Sequence, residues 1–393
     1  MKRRDVAGKL ACRNDKMAEA VYLGIDTSCY TTSLFFMDRQ GQPVAEARRI
    51  LKVKPGGCGL QQSEMLYQHT RNLPELMEEA VSERDFSLLG IGVSSKPRPR
   101  EDSYMPAFLA GLGFARSLAA LYRIPLWQIS HQENHLEAAV WSAKGPEADR
   151  FLFLHASGGT TDLLLVEKGL VKDIAQSLIE DAGKTVKTEN NKVGEFAKQT
   201  ASNYKLTEIG SSLDLHAGQF VDRVGVALGL SFPAGPALEK LAEQHTEILE
   251  IPVSVHKTQV SFSGPCTWVL RAIHKFEQSE PVSSKVTSAD TTTQNTIVTP
   301  QSFPGTMLSN LAASVQWRLA ETFVRMIRNG AAEYNVRDVI LAGGVCANRW
   351  IRKHIENKLA KRSIHLWMPE NRYSGDNASG CAAYAWRQGE QHG

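Results

Sequence analysis

Apolar and polar positions along this chain follow two rhythms, one typical of strands and one typical of helices. Short apolar runs predict strands at Leu88–Ser95 and Pro125–Ser130. Longer stretches with a helical period predict helices at Glu64–Val81, Met105–Tyr122 and His131–Ala143. The alternation of the two kinds of segment predicts a layered α/β fold.

Two segments have the pattern of strand, tight turn, strand. The first, VYLGIDTSCYTTSLFFMD, begins at Val21, and the second, FLFLHASGGTTDLLLVE, runs from Phe151 to Glu167. Gly158 and Gly159 in the second turn would let backbone amides approach an anion closely. One such hairpin is ordinary, but two, each opening one half of the chain, indicate an internal duplication.

The segment HQENHLEAAVW carries two histidines one helical turn apart. His131 and His135 would stand on the same face of a helix, where two imidazoles could hold one metal ion. Two partly buried polar side chains are the alternative interpretation, and the H-E-x-x-H pattern is absent. Asp376, at the predicted start of the last helix, is either an N-cap or a third ligand. Such a mixed nitrogen and oxygen set, with open positions, suits Zn or Fe.

Two further polar residues lie where a nucleotide could bind. Asp222 sits among apolar neighbours in a predicted helix that ends at Gly229, so its carboxylate is either salt-bridged or kept for a ligand hydroxyl. Asn348 opens a predicted helix just after Gly343 and Gly344, where a base and ribose could rest against bare backbone.

Composition sets outer limits on the function. At 393 residues two domains are expected, and 45 basic against 42 acidic residues neither demand nucleic acid nor exclude a local basic groove. Six cysteines without a C-x-x-C pair predict reduced thiols. With no signal-peptide core and no membrane-spanning run, we expect a cytoplasmic protein.

Three polar segments interrupt the pattern. Residues 1–20 are interpreted as a flexible tail, and residues 281–304, rich in Ser and Thr, as a disordered loop. Residues 168–203 are interpreted as a partly helical insertion, either a solvated flap or an arm that binds nucleic acid. The loop KPRPRED, Lys96–Asp102, is either a solvated surface loop or a contact to a phosphate backbone.

Seven motifs in order resemble the TsaD family, the tRNA threonylcarbamoyladenosine transferases once classed as glycoproteases. The motifs, between about Val21 and Arg387, are IDTSC, HQENH, ASGGTT, AGQFVDRVGVALGLSFPAGP, FSG, AGGVCANR and GDNA. The family has the actin–hexokinase–sugar kinase fold. The resemblance therefore implies two similar α/β lobes around a nucleotide cleft, which we expect at 21–145 and 146–393.

The resemblance also implies functional roles. His131, His135 and Asp376 would hold one divalent metal, Fe or Zn. ATP, AMP or threonylcarbamoyl-AMP would lie against a set of nucleotide residues: Ala156, Ser157, Gly158, Gly159, Thr160, Asp222, Gly235 and Asn348. The family transfers the threonylcarbamoyl group of threonylcarbamoyl-AMP to N6 of adenosine 37 of tRNA. The implied partners are tRNA and TsaB- and TsaE-like proteins, with no membrane.

Several positions depart from the family pattern. Tyr30 and Thr31 replace an acidic pair, and KPRPRED replaces a glycine-rich A-G-P-G-L loop. Thr160, Ala234 and Gly375 replace His, Gly and Thr. These departures leave a second hypothesis open. In it, the protein is a divergent paralogue that binds ATP or AMP and metal but acts as another carbamoyltransferase or as a regulator without modifying tRNA. A metalloprotease fits poorly, because no glutamate stands beside a histidine as general base.

Overall fold

A computed structural model describes residues 18–53, 59–169, 203–279 and 305–391. Residues 1–17 of the predicted tail, almost all of the predicted insertion at 168–203 and the loop at 281–304 therefore lie outside the described residues, and the tail's expected end at residue 20 is wrong because Glu19 already begins a strand. Within the described ranges, no helix combines the length and apolar character that crossing a bilayer requires.

The first half of the chain builds one five-stranded sheet. Its strands are β1 Glu19–Asp26, β2 Thr31–Asp38, β3 Pro43–Ile50, β4 Phe86–Lys96 and β5 Leu126–Ser130. Their order is β3-β2-β1-β4-β5, with β1 to β3 antiparallel and β4 and β5 parallel to β1. Helices α1, Gln62–Val81, and α2, Phe108–Tyr122, follow β3 and β4. β1 begins two residues before the predicted start at Val21.

The second half repeats this arrangement. Its strands are β6 Arg150–Ala156, β7 Thr161–Lys168, β8 Tyr204–Ser211, the hairpin β9 Ser254–His256 and β10 Gln259–Ser261, then β11 Asp338–Ala342 and β12 His365–Trp367. The large sheet has the order β8-β7-β6-β11-β12, which is the order of the first sheet strand for strand, with the same directions. The duplication and the two-lobed actin-like fold are confirmed by this topology.

The remaining helices complete the two lobes. They are α3 His131–Ala143, α4 Ala217–Ala227, α5 Gly235–Ala242, α6 Ser263–Ser279, α7 Gly305–Tyr334, α8 Arg349–Ala360, the short α9 Asn371–Ser374, and α10 Ser379–Gln391. The predicted bounds of α3 agree residue for residue. The turn after α4 passes through Gly229 at φ +80°, a left-handed conformation that favours glycine, as predicted for the end of that helix.

Two helices cross between the halves of the chain. α10 packs against β1, β2 and β4 of the first sheet, where the missing side chains of Gly24 and Gly92 leave room for its backbone. α3 packs against the second sheet, with Leu136 in one cluster with Phe151 and Phe153. The boundary expected between 145 and 146 thus separates the two sheets but not these two helices.

Candidate metal and nucleotide site

The two histidines and Asp376 meet where α3 faces the segment before α10. Nε2 of His131 and Nε2 of His135 lie 3.0 Å apart, and Oδ1 of Asp376 lies 3.6 and 3.4 Å from them. Both histidines are buried, and the Asp376 side chain is 22% exposed. The first turn of α3 is held by a capping box between Ser130 and Glu133, which accounts for the glutamate beside the histidine pair.

Asn134, between the two histidines, fixes the segment that carries Asp376. Its Nδ2 donates to the Asn377 carbonyl at 2.7 Å, and its Oδ1 accepts from the Cys381 N–H at 2.8 Å. Gly380 is required there, because a Cβ would lie 1.9 Å from the Asn134 carbonyl oxygen. Asn377 accepts from the N–H of Ser379 at the start of α10. The N-cap alternative for Asp376 is therefore wrong, and its carboxylate faces the imidazoles.

The charges around the histidine pair favour a bound cation. Burial lowers the pKa of His135, and the neighbouring His131 lowers it further. Burial also opposes a charge on His131, but Asp26 and Asp376 raise its pKa above the usual value. The histidines in turn hold the pKa of Asp376 well below its ordinary range in spite of burial. Asp26 and Asp376 thus favour a positive charge at the histidine pair, which a bound metal ion would also supply.

The donor set fits a divalent metal. One ligand atom from each of His131, His135 and Asp376 lies within 4.8 Å of the others, and within the described residues this is the group of side chains with metal-binding geometry. Two imidazole nitrogens and one carboxylate oxygen are a donor set that suits Zn or Fe, and three protein ligands leave room for a further ligand.

A third histidine lies behind the pair and was missed by the sequence analysis. His155, on β6, is buried, and its ring centroid lies 4.3 Å from that of His135. Burial keeps its pKa well below the usual value, so the ring is neutral. Neither ring nitrogen has a hydrogen-bond partner among the described residues. No spacing signal could have identified it, because His155 lies on the same face of β6 as Phe151 and Phe153 and looks like part of an ordinary buried strand.

A cavity of about 540 Å³ opens beside the metal-binding group, between the lobes. Four of the predicted nucleotide residues line it: Gly158, Asp222, Gly235 and Asn348. Gly375, directly before Asp376, lines it too, so cavity and metal-binding group adjoin. Burial raises the pKa of Asp222, whose Oδ1 accepts from the Ala234 N–H at 2.8 Å.

The other members of the predicted nucleotide set have different positions. Ala156 is buried in the core, and Ser157, Gly159 and Thr160 do not line this cavity. The Ser157 carbonyl accepts from Gly218 N–H at 3.0 Å, which holds the glycine turn against the start of α4. Within that turn, Gly158 alone presents backbone to the cavity.

The side chain of Asn348 is already engaged at both ends. Its Oδ1 accepts from Ile351 N–H as the N-cap of α8, and its Nδ2 donates to Gln316 at 2.5 Å. Gln316, on α7, lines the cavity as well and was not predicted. A base bound here would contact the hydrogen-bonded side-chain amides of Asn348 and Gln316 rather than an asparagine without a partner.

The KPRPRED loop folds back onto the second lobe. Arg98 lies 2.8 Å from Asp162 and 3.4 Å from Glu208, and Gln132 donates to Asp162 at 3.1 Å. Burial raises the pKa of Asp162 to about 6 although Arg98 opposes the shift. The loop is therefore more than a solvated loop, since Arg98 joins it to the strand that follows the glycine turn.

These features define the class of the protein: a two-lobed actin-like fold with a nucleotide-sized cleft beside a candidate metal site. A family profile described as "TsaD: tRNA N6-adenosine threonylcarbamoyltransferase" matches residues 52–205 and 194–383. The chain belongs to this family of transferases.

Curated relatives match along most of their length. The tRNA N6-adenosine threonylcarbamoyltransferase of Geobacillus thermodenitrificans is 27% identical over 380 residues, covering 93% of this chain and 91% of the relative. The one of Methanopyrus kandleri is 26% identical over 341 residues, covering 85% and 77%. Among solved structures, full-length HypF in the phosphate- and nucleotide-bound form has a TM-score of 0.49 at 12% identity, over 96% of this chain and 47% of that one.

Proposed function

We propose that this protein transfers the threonylcarbamoyl group of threonylcarbamoyl-AMP to N6 of adenosine 37 of tRNA. Membership of the TsaD family and the names of its relatives, which are tRNA N6-adenosine threonylcarbamoyltransferases, support the reaction class. The observation that carries the proposal is that the two candidate sites adjoin along the chain: Asp376 belongs to the metal-binding group, and the preceding Gly375 lines the cavity. An adenylate in the cavity would have its acyl phosphate end at the metal-binding group.

Each part of the adenylate has a suitable partner in the cleft. Asp222 would accept hydrogen bonds from the ribose hydroxyls, and the backbone of Gly158 would approach the phosphate. The amides of Asn348 and Gln316 would lie beside the base. Together these contacts would fix the mixed anhydride in one orientation, which lowers the entropic part of the barrier.

His131, His135 and Asp376 would hold the divalent metal. When bound, such an ion supplies Lewis-acid polarisation of the acyl group and neutralises charge on the leaving phosphate. The buried Asp26 behind His131 and the neutral His155 behind His135 keep the imidazoles in place. In the transfer, N6 of adenosine forms a bond to the carbamoyl carbon, and the bond from that carbon to the phosphate oxygen breaks. AMP leaves with the electron pair of that bond, and N6 loses one proton to water.

The acceptor side of the cleft favours a second candidate function. Tyr30, at one position of the family's acidic pair, makes an edge contact with Phe232 of the other lobe at 5.4 Å between ring centroids. No carboxylate is present at positions 30 and 31 to take the amine proton. This supports a paralogue that binds the adenylate and transfers a carbamoyl group to another acceptor, or that regulates without tRNA.

The proposal includes partners. TsaB- and TsaE-like proteins would assemble with the chain, as the family resemblance implies, and another enzyme would supply the adenylate. These partners are part of the proposed function, and an assay with purified protein should therefore be run with and without them.

Transfer to RNA tests the proposal directly. Purified protein is supplied with threonylcarbamoyl-AMP and unmodified tRNA, and digested nucleosides are analysed by mass spectrometry. We expect threonylcarbamoyladenosine from the wild type and none from His131→Ala. The matched control is His354→Ala, which removes a histidine of α8 that pairs with Glu321 of α7 and should keep the activity. No product from a wild type that still binds AMP would favour the second candidate.

A further inference from the structure

Two arginines from distant parts of the chain lie at the mouth of the nucleotide cavity. Arg48 is on β3, the edge strand of the first sheet, and Arg372 is on α9, shortly before Asp376. Nη1 of Arg48 donates to the Arg372 carbonyl at 3.0 Å, and both side chains line the cavity. Two guanidinium groups, one from each half of the chain, therefore lie together at the cavity beside the segment that carries Asp376.

The carboxylates beside these arginines are exposed. Arg48 lies 3.6 Å from Glu46, and Arg372 lies 3.0 Å from Glu370. All four side chains are between 36% and 60% exposed. Ion pairs in water contribute little to stability, so both guanidinium groups can exchange a carboxylate for a phosphate at small cost.

A second cavity continues from the first across Ile50, which lines both. It has a volume of about 490 Å³ and lies between the end of β3 and the outer face of α1. Lys52, Tyr67 and Arg71 line it. Tyr67 is 55% exposed, and the Arg71 guanidinium lies 5.8 Å from the centre of its ring.

The charges of this second cavity are mixed. Arg49 forms ion pairs with Glu75 and Glu79, so its charge is already compensated. Glu64 also lines the cavity, and its carboxylate would repel an anion. Lys52 and Arg71 are the cations that remain beside the exposed ring. Cations interleaved with an exposed aromatic ring are typical of surfaces that bind single-stranded nucleic acid through phosphate contacts and base stacking.

We propose that Arg48 and Arg372 bind the phosphodiester groups that flank the acceptor adenosine. The RNA strand then leaves the cleft over Ile50 toward Lys52, Tyr67 and Arg71, with a base stacked on Tyr67. We name these six residues the RNA track. The inference rests on the proposed function, because it needs an RNA acceptor. The phosphate of the adenylate is the other source of the same chemistry, but Gly158 already faces the cavity for that group.

Binding of an unmodified anticodon stem-loop, measured by fluorescence anisotropy between about 50 and 200 mM salt, tests the RNA track. The test variant is Arg48→Gln combined with Arg372→Gln. We expect it to lose about tenfold or more in RNA affinity, with a slope of log affinity against log salt smaller by about two. Tyr67→Ala should weaken RNA binding while leaving the salt slope unchanged, because stacking releases no counterions.

Arg84→Gln is the matched control. Arg84 is half-exposed, has one carboxylate partner, Glu19 at 3.9 Å, and lines neither cavity, so its loss should leave RNA affinity unchanged. AMP affinity, measured by calorimetry, should stay within about twofold in the double variant. An equal melting temperature would establish that the double variant is folded.

The outcomes separate the two proposals. RNA affinity that is unchanged in the double variant overturns the RNA track, and so does a tenfold loss of AMP affinity, which would assign the arginines to the adenylate. If the wild type modifies tRNA and the double variant has the same KM for tRNA, the RNA track is wrong and the proposed function is still supported. A wild type that binds RNA through these arginines but transfers nothing supports the track and contradicts the proposed function.

Discussion

Asp26 lies behind the histidine pair, and it is fully buried. Ser28 donates to its Oδ2 at 2.7 Å, Ser94 donates to its Oδ1, and that same Oδ1 lies 3.4 Å from Nδ1 of His131. A carboxylate in this position orients a ligating imidazole and strengthens it as a donor. The IDTSC motif would therefore support the candidate metal site, although Asp26 stands 105 positions before His131.

Asp162 gives a pH dependence of stability with a defined sign. Its folded pKa is raised from 3.8 to about 6 by burial, so the folded state holds its proton where the unfolded state has lost it. Stability is therefore lost as pH rises from about 4 to about 6, by roughly 3 kcal/mol in full. Asp162→Asn should gain stability relative to the wild type over this interval, measured by urea unfolding.

The control for that experiment is Asp102→Asn, in the same loop network but with a side chain 82% exposed. Its difference from the wild type should not change with pH in that interval. A flat difference for Asp162→Asn would mean that the buried carboxylate is neutralised in another way, and the network with Arg98 and Gln132 would need a different description.

At the scale of elements, α3 links the two histidines to the rest of the site. One face of the helix carries His131 and His135, and Asn134 points toward α10. Because an α-helix places successive residues about 100° apart, one five-residue motif serves two faces. Its cap at Ser130 and its neighbour Glu133 hold the first turn, so the glutamate is structural.

Asn134→Ala tests this coupling between elements. The change removes one hydrogen bond to the Asn377 carbonyl and one from the Cys381 N–H, and it leaves both groups buried. We expect a loss of about 2 kcal/mol in the free energy of unfolding and about tenfold weaker metal binding, since Asp376 lies beside Asn377. Urea titration and metal calorimetry measure the two effects.

Asn329→Ala is the control for the helix coupling. Its Nδ2 donates to the exposed Lys257 carbonyl, away from the site, and its loss should affect neither quantity by much. If Asn134→Ala lost stability but bound metal as tightly as the wild type, Asn134 would hold the last helix without positioning Asp376.

At the scale of the molecule, the duplicated sheets were predictable because each hairpin is local. Strand, short turn and strand follow one another in sequence, so their pattern alone indicated an internal duplication, and the family resemblance implied the two lobes. β8 was not predicted, because most residues of Tyr204–Ser211 are exposed or half-exposed and the strand follows a long polar stretch. The packing of α10 on the first sheet was also not predictable, since it depends on Gly24 and Gly92, far away in the chain.

The site residues likewise divide into those that the sequence could predict and those that it could not. His131 and His135 are four residues apart, so their spacing indicated one face of a helix. For Asp376 the local sequence left an N-cap and a third ligand as alternatives, because nothing local connects it to the histidines, and the family resemblance implied the ligand. His155, Arg98 and Arg372 have no sequence signal, since each acquires its role only when the two lobes meet.

Metal binding by the wild type and by Asp376→Asn, followed by calorimetry with Zn²⁺, tests the central claim most directly. The structure predicts one tight site per wild-type chain and, in the variant, a loss of about tenfold or more in affinity, because a charged oxygen ligand is replaced by a neutral amide. Unchanged stoichiometry and affinity in Asp376→Asn would contradict the claim that the two halves of the chain join in one metal site.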